Sequence, residues 1–196
     1  MTQASTILNR VSPQLIDEGK VHWTDAELLR WVSDGQRVIV SMAPATATPT
    51  LATVSLVAGV KQPLPADAQG LISVNRNTDG VAVVVVPRTV LDIQNPGWTT
   101  DAQTAAVKVY TYDPADPTNF YVYPPNNGTG SVEINYAIMP PELVAATDTL
   151  LVRDQYIPAL CDYVMWRAHL KESDFAAGQG LATMYQNAFV AQLPQR

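Results

Sequence analysis

The sequence predicts an α+β protein: a four-helix bundle formed by amino- and carboxy-terminal helix pairs, with an inserted antiparallel β-rich domain. Three observations lead there. Apolar residues recur at helical spacing at both chain ends, Pro, Thr and Val dominate between them, and most of the acidic excess lies in that middle. Residues 1–43 carry four basic and five acidic side chains, residues 44–149 four and nine, and residues 150–196 four and four. The shifts in texture set the expected limits: 1–43 for the first helices, 44–149 for the β-rich domain, 150–196 for the last helices and a tail. No end helix can bury its apolar stripe alone, so packing the two pairs together is the simplest solution.

The first helix is a short stretch in which Ile7, Leu8 and Val11 share a face. Pro13 ends or kinks it, because the ring clashes with the carbonyl four residues back. The second has a clear start: Thr24-Asp25-Ala26-Glu27 fits a capping box, and Trp23 with Leu28 fits a hydrophobic staple. Leu28, Val32, Gly35, Ile39 and Met42 continue one face until Pro44 stops it. Gly35 in mid-helix costs about 1 kcal/mol relative to Ala; close approach of another helix and simple tolerance explain it equally well.

The middle reads as strands. Leu51 to Val57 is rich in β-branched residues, and Leu71 to Val74 follows a Pro-rich link with Pro63 and Pro65. Turn chemistry at Asn77-Thr78-Asp79-Gly80 precedes Val81 to Val86, which predicts a hairpin. Arg88 to Gln94 makes one or two helical turns, ended by Asn95-Pro96-Gly97. Val107 to Tyr112, Phe120 to Tyr123 and Val132 to Tyr136 are joined by turns at Asp113–Pro117 and Asn126-Asn127-Gly128, predicting a meander. Ile157, Leu160, Val164 and Ala168 then mark a helix capped by Asp148 or Asp154, starting near Arg153 because Pro158 is acceptable only in a first turn. Ser173-Asp174 caps a last helix bearing Phe175, Leu181, Ala182, Tyr185, Ala188 and Phe189.

Composition excludes several function classes. Charged residues make up 15% and hydrophobic residues 47%, the reverse of a disordered chain. A net charge of −6 argues against a phosphate-backbone binder, which needs surplus Lys and Arg. Met1 to Thr6 lacks the charged and apolar regions of a secretory signal, and the longest apolar run, Val81–Val86, spans six residues where a membrane helix needs about 20. The single Cys161 cannot form an intrachain disulfide.

The catalytic inventory is poor. Cys161 and His169 lie about 12 Å apart along one predicted helix, too far for a nucleophile–base pair. Cys161 reads as a small core residue, His22 as a surface or capping residue, and His169 as a cation suited to a helix end. These three show no zinc-ligand spacing. Asp113 and Asp116, flanked by prolines, are turn chemistry before they are a calcium loop. Asn75, Asn77 and Asp79 begin like a calcium loop that lacks its terminal Glu. The aromatic cluster Tyr110, Tyr112, Phe120, Tyr121 and Tyr123 either packs across strands or stacks sugars or bases, with cross-strand packing favoured.

Ile7-Leu8-Asn9-Arg10-Val11, Trp23 through Trp31, Leu56 through Pro65, Asn95-Pro96-Gly97-Trp98, Phe120 through Pro125, the strand end Tyr136 to Pro141 and a tyrosine-containing carboxy-terminal helix pair occur in that order. Together they resemble the head-to-tail adaptor (connector or neck) proteins of short-tailed bacteriophages over almost the whole chain. The resemblance implies a non-enzymatic virion protein with no catalytic residue, cofactor or metal to carry over. It implies a ring, commonly of twelve copies, beneath the portal vertex, reached from the host cytoplasm during assembly. The implied partners are copies of itself, the portal protein and a tail tube or nozzle protein, with DNA passing through without specific binding and no membrane involved.

Low surface charge agrees with such a ring, since each subunit covers faces against neighbours. The terminal segment supplies the expected portal contacts, Gln192, Leu193, Pro194, Gln195 and Arg196. Trp98, Tyr110, Tyr112, Phe120, Tyr121 and Tyr123 are expected subunit or tail contacts. The alternative from another class is a carbohydrate-binding or adhesion module using the aromatic hairpin.

Overall fold

The computed structural model describes residues 2–17, 19–171 and 176–193. In chain order the elements are α1 (Ser5–Val11), α2 (Asp25–Met42), β1 (Thr50–Ser55), β2 (Ala58–Pro63), β3 (Ala68–Asn77), β4 (Val84–Val85), α3 (Arg88–Gln94), β5 (Val109–Thr111), β6 (Asn119–Asn127), β7 (Ser131–Ile138), α4 (Ile157–Lys171) and α5 (Ala176–Ala191). Short 3-10 turns at Pro44–Thr46 and Asp154–Tyr156 follow α2 and lead into α4. The chain forms two compact units, a helical one from Met1–Thr48 and Pro140–Arg196 and a sheet one from Pro49–Met139.

The expected four-helix bundle with one β-rich insertion is overturned. Among the described residues the protein is α+β with five α-helices and two sheets. α1 spans only seven residues, and α3 belongs to the sheet unit. In the helical unit α4 is the hub, packing against α1, α2 and α5. One face of α2 is covered by an extended segment instead of a helix. Ser33, buried on α2, accepts from the Leu143 amide at 2.9 Å, and buried Gln36 accepts from the Leu151 amide at 2.7 Å. Arg37 donates to the Pro140 carbonyl at 3.1 Å. The same segment bridges Gln3 through Thr149 and Ala47 through Val152. It buries Leu143, Leu150 and Val152, which do the work of a helical stripe.

Thr24 caps α2 as expected, its side chain accepting from the Glu27 amide at 3.3 Å. The reciprocal half of the box is replaced, because the Glu27 carboxylate takes Lys171 Nζ at 2.8 Å from the end of α4. Gly35 marks a close approach: a Cβ there would sit 3.0 Å from both Leu160 and Tyr163 side chains of α4. Pro158 occupies the first turn of α4. Asp148 holds a turn, accepting from the Val144 and Ala145 amides, while Asp154 opens the 3-10 turn before α4. The expected cap Ser173-Asp174 and Phe175 lie outside the described residues.

The sheet unit contains a three-stranded sheet ordered β1-β7-β3 and a four-stranded sheet ordered β2-β6-β5-β4. Their inner faces meet over Leu71, Val74, Tyr110, Phe120, Val122, Val132, Ile134 and Tyr136, with inward and outward residues alternating as two packed sheets require. One expectation fails here and another holds only in its first half. β7 does not complete a meander; it leaves β6 and lies between β1 and β3 in the other sheet. The Val81–Val86 run begins as the return strand of a hairpin, bridging Ala82 to Arg76, and then pairs parallel with β5. β2, which read as part of a Pro-rich link, pairs with β6 across a bulge.

Three buried amides hold these crossings. Asn126 donates to the Thr104 and Ala105 carbonyls and accepts from the Gly128 and Gly130 amides. Asn77 donates to the Val81 and Val107 carbonyls and accepts from the Val107 amide. Gln62 accepts from the Val57 amide and donates to the Val57 and Gly59 carbonyls. Each substitutes for ladder bonds that irregular backbone cannot make, as buried polar groups require.

Candidate functional site

Two surfaces stand out, one in each unit. The first grows from the β5–β6 hairpin, where Val109 pairs with Tyr123, Tyr110 with Val122 and Thr111 with Tyr121. Strand alternation sends Tyr110 and Phe120 into the core and leaves Tyr121 and Tyr123 half-buried on the other face. The turn after α3 is fastened beside them. Trp98, only 2% exposed, donates its indole N–H to Asp92 Oδ1 at 2.8 Å. The Asp101 carboxylate accepts from Asn95 at 2.6 Å and from the Tyr123 hydroxyl at 3.0 Å.

Arg88 stacks over the Tyr121 ring with 5.6 Å between guanidinium carbon and centroid, an arrangement in which the cation meets the negative face of the ring. A cleft of about 310 Å³ opens there, bounded by Arg88, Tyr112, Asp113, Asp116 and Tyr121. Burial pushes the Tyr112 phenol above its ordinary value, against a backbone hydrogen bond from Leu71, and the charges of Asp116 and Asp113 add to the rise. Hydrogen bonds from Asn119 and Thr118 hold the Asp116 carboxyl below its ordinary value.

The second surface is an apolar groove of about 230 Å³ on the helical unit. Val38 and Met42 of α2, Tyr163 and Trp166 of α4, and Phe189 and Val190 of α5 form most of its wall. Leu193, just beyond α5, completes the lining, in which no described residue is charged. α5 itself contains no Asp, Glu, Lys or Arg, and its Leu181, Met184 and Val190 are exposed. A surface helix ordinarily carries charge on its outer face. Of the expected portal contacts, Gln192 is exposed and bonded to Asp162 at 2.5 Å, and Leu193 is buried in the groove wall. Pro194, Gln195 and Arg196 lie outside the described residues.

The reactive side chains are placed in packing roles. His169 stacks on Tyr185 with 5.6 Å between centroids, and His22 meets Trp23 edge-on at 4.7 Å. Burial pushes the Cys161 thiol above its ordinary value, the opposite of an activated nucleophile. Asp113 and Asp116 form the predicted turn, Asp113 accepting from the Ala115 amide and its carbonyl from the Asp116 amide. Asn75 bonds Glu133 on the outer face of a sheet, and Asp79 accepts from the Val81 amide. Sequence reasoning missed Arg88, Asp101 and the groove. The groove had a legible signal, the absence of charge from a whole helix; the Asp101 cluster had none.

The family model described as SU10 adaptor protein matches residues 2–196. No curated protein matches the chain.

Proposed function

Because the chain belongs to the SU10 adaptor protein family, a family of structural phage proteins, we propose that it forms a ring that joins the portal to the tail and lines the DNA channel. Twelve copies is the copy number to test first. The observation that carries the reading is a family match running nearly the whole chain. It is supported by apolar surface that one subunit leaves open, including Val21 at 87%, Ile93 at 81% and Val144 at 84% exposure. The acidic excess of nine against four charges in residues 44–149 suits a conduit wall, since a basic wall gains affinity by releasing counterions from DNA.

In this reading the partners are copies of the chain, the portal protein and a tail tube or nozzle protein, and DNA passes without specific binding. The protein reaches the head–tail junction from the host cytoplasm. Tyr112, Tyr121 and Tyr123 are the half-buried, solvent-reaching part of a subunit or tail contact, held from inside by Trp98, Tyr110 and Phe120. Gln192 through Arg196 is the portal-contacting tail. Mixing the purified chain with portal rings should give a stoichiometric complex by negative-stain microscopy; a chain that stays single beside portal and tail components sinks the proposal. Deleting Gln192–Arg196 should weaken portal binding in a pull-down about tenfold, the loss expected when one short segment is removed from an interface. Unchanged binding removes the tail assignment.

A further inference from the structure

The edge of a β-sheet is a row of unpaired N–H and C=O groups that another extended chain can join, and folded proteins guard it with bulges, charge, proline or brevity. In the sheet unit the edge strands are β1 and β3 of one sheet and β2 and β4 of the other. Three of them are guarded. β2 is broken by a register shift between Gly59 and Lys61, carries Lys61 paired with Asp116 at 3.7 Å, and ends on Pro63. β3 has its Asn75 carbonyl and Asn77 amide taken by the returning Val81 to Val83 segment, and its Leu71 amide by the Tyr112 phenol. β4 is two residues long.

β1 has none of these devices. It runs in one unbroken register against β7, contains no proline, and lies in a stretch with no charged residue between Arg37 and Lys61. Just past its end the Leu56 amide donates to the Gly130 carbonyl at 2.8 Å. Bonded and non-bonded pairs alternate along an antiparallel ladder, so Thr50, Ala52 and Val54 turn their backbone groups to β7. Leu51, Thr53 and Ser55 turn theirs to the open edge. Nothing among the described residues bonds those outward groups. The side chains alternate as well: Leu51 is 60% exposed beside exposed Thr53 and Ser55, while Ala52 and Val54 lie half-buried at the rim of the core.

The pattern of donors and acceptors states what fits: an extended backbone lying along Leu51 to Ser55, with apolar side chains where it falls beside Ala52 and Val54 and extends the core. A second copy does not supply it. The other edges of a copy are guarded, and pairing β1 with β1 in either direction sets two copies about a two-fold axis, which a head-to-tail ring does not contain. We propose that an extended segment of the tail protein adds to β1 as a fourth strand of the three-stranded sheet. The inference rests on the adaptor reading above, in which the sheet unit carries candidate tail contacts, and it names the backbone through which one such contact is made.

Hydrogen exchange on the full chain reads the edge directly, with the chain free, assembled on portal rings, and mixed with the purified tail tube or nozzle protein. In the free chain the Leu51, Thr53 and Ser55 amides should exchange faster than those of Ala52, Val54 and Leu56, and the tail protein should slow the first set about tenfold or more. Thr53→Pro removes one outward amide and leaves the bonds to β7, a position where an edge strand tolerates proline. It should weaken tail binding about tenfold with portal binding unchanged. Leu51→Lys with Thr53→Lys places charge on the edge without altering the backbone and should give the same loss even if the proline variant misfolds. Tail binding that leaves the three amides fast overturns the proposal. So does protection that appears on assembly without the tail protein, which assigns the edge to another occupant; the adaptor reading stands in both cases. A chain that binds neither portal nor tail protein overturns both.

Discussion

The two units handle irregular backbone by different means, and the difference shows where each is fragile. In the sheet unit the crossings between sheets are held by Gln62, Asn77 and Asn126, each using both donor and acceptor on neighbouring backbone. In the helical unit the extended segment 140–153 is held by three α2 side chains, Ser33, Gln36 and Arg37, by backbone bonds to residues 2–5 and 46–48, and by apolar side chains against α2. The buried side-chain amides therefore carry the irregular backbone of the sheet unit, whereas backbone pairing and apolar packing carry much of it in the helical unit. A hydrogen-bond network fails when one member goes, because its partners are left buried and unsatisfied; an apolar contact degrades with the size of the change.

Four substitutions or conditions sharpen that contrast. The largest effect should come from Gly130→Ala, since a Cβ there would overlap the Ala105 carbonyl and the Asn126 amide. Backbone cannot yield as a flexible side chain can, so a loss of about 3 kcal/mol or more is expected, with hydrogen exchange accelerating in the sheet unit and the helical unit nearly unchanged. Asn126→Ala should follow at about 3 kcal/mol, because it strands amides and carbonyls at a fully buried site. If denaturant titration shows it as mild as a surface change, the network account is wrong.

Gly35→Ala sets two terms against each other. Overpacking against Leu160 and Tyr163 costs about 1–3 kcal/mol, and the gain in helix propensity returns about 1 kcal/mol. A net loss near 1 kcal/mol is expected, read as a lower thermal midpoint, and Gly35→Val should be clearly worse. A stabilised Gly35→Ala would mean that α4 shifts freely.

The smallest effect is acid sensitivity. Asp17 is held below its ordinary value chiefly by the Trp23 amide, Asp148 by the Ala145 amide, and Glu133 by Arg76. A carboxylate depressed in the folded state stabilises above its unfolded pKa, and that stabilisation is lost as pH falls through the folded value. Thermal midpoints should therefore be flat near neutrality and fall below about pH 4, where carboxylates protonate. Asp17→Asn should flatten part of that fall; an unchanged profile would show that the loop between α1 and α2 does not depend on its carboxylate.

Much of the local structure was legible in the sequence. The Thr24 cap, the stop at Pro44, the first-turn Pro158 and the turn residues Asp79 and Asp113 act within a few positions of themselves, so sequence spacing suffices to find them. Gly35 was legible as an anomaly whose cause only α4 could supply. The aromatic strand was legible as alternation, but alternation does not tell which face is the core. It therefore left open that Phe120 and Tyr110 point inward while Tyr121 meets Arg88.

What the sequence determined by itself was where helices and most strands lie, that charge is scarce, and that His and Cys are few. The partner of each strand was decided only by tertiary structure. β7 read as the neighbour of β6 because turns usually join adjacent strands, yet the Asn126 and Gly130 packing carries the chain across to the other sheet. The wall beside α2 was likewise decided in three dimensions. An extended segment whose amides reach Ser33 and Gln36 buries apolar surface as well as a helix does, and no periodicity announces it. Local rules fix elements because their hydrogen bonds close over a few residues; strand pairing joins residues far apart, such as Thr50 and Tyr136, and coverage joins residues farther still, such as Ser33 and Leu143 at a separation of 110.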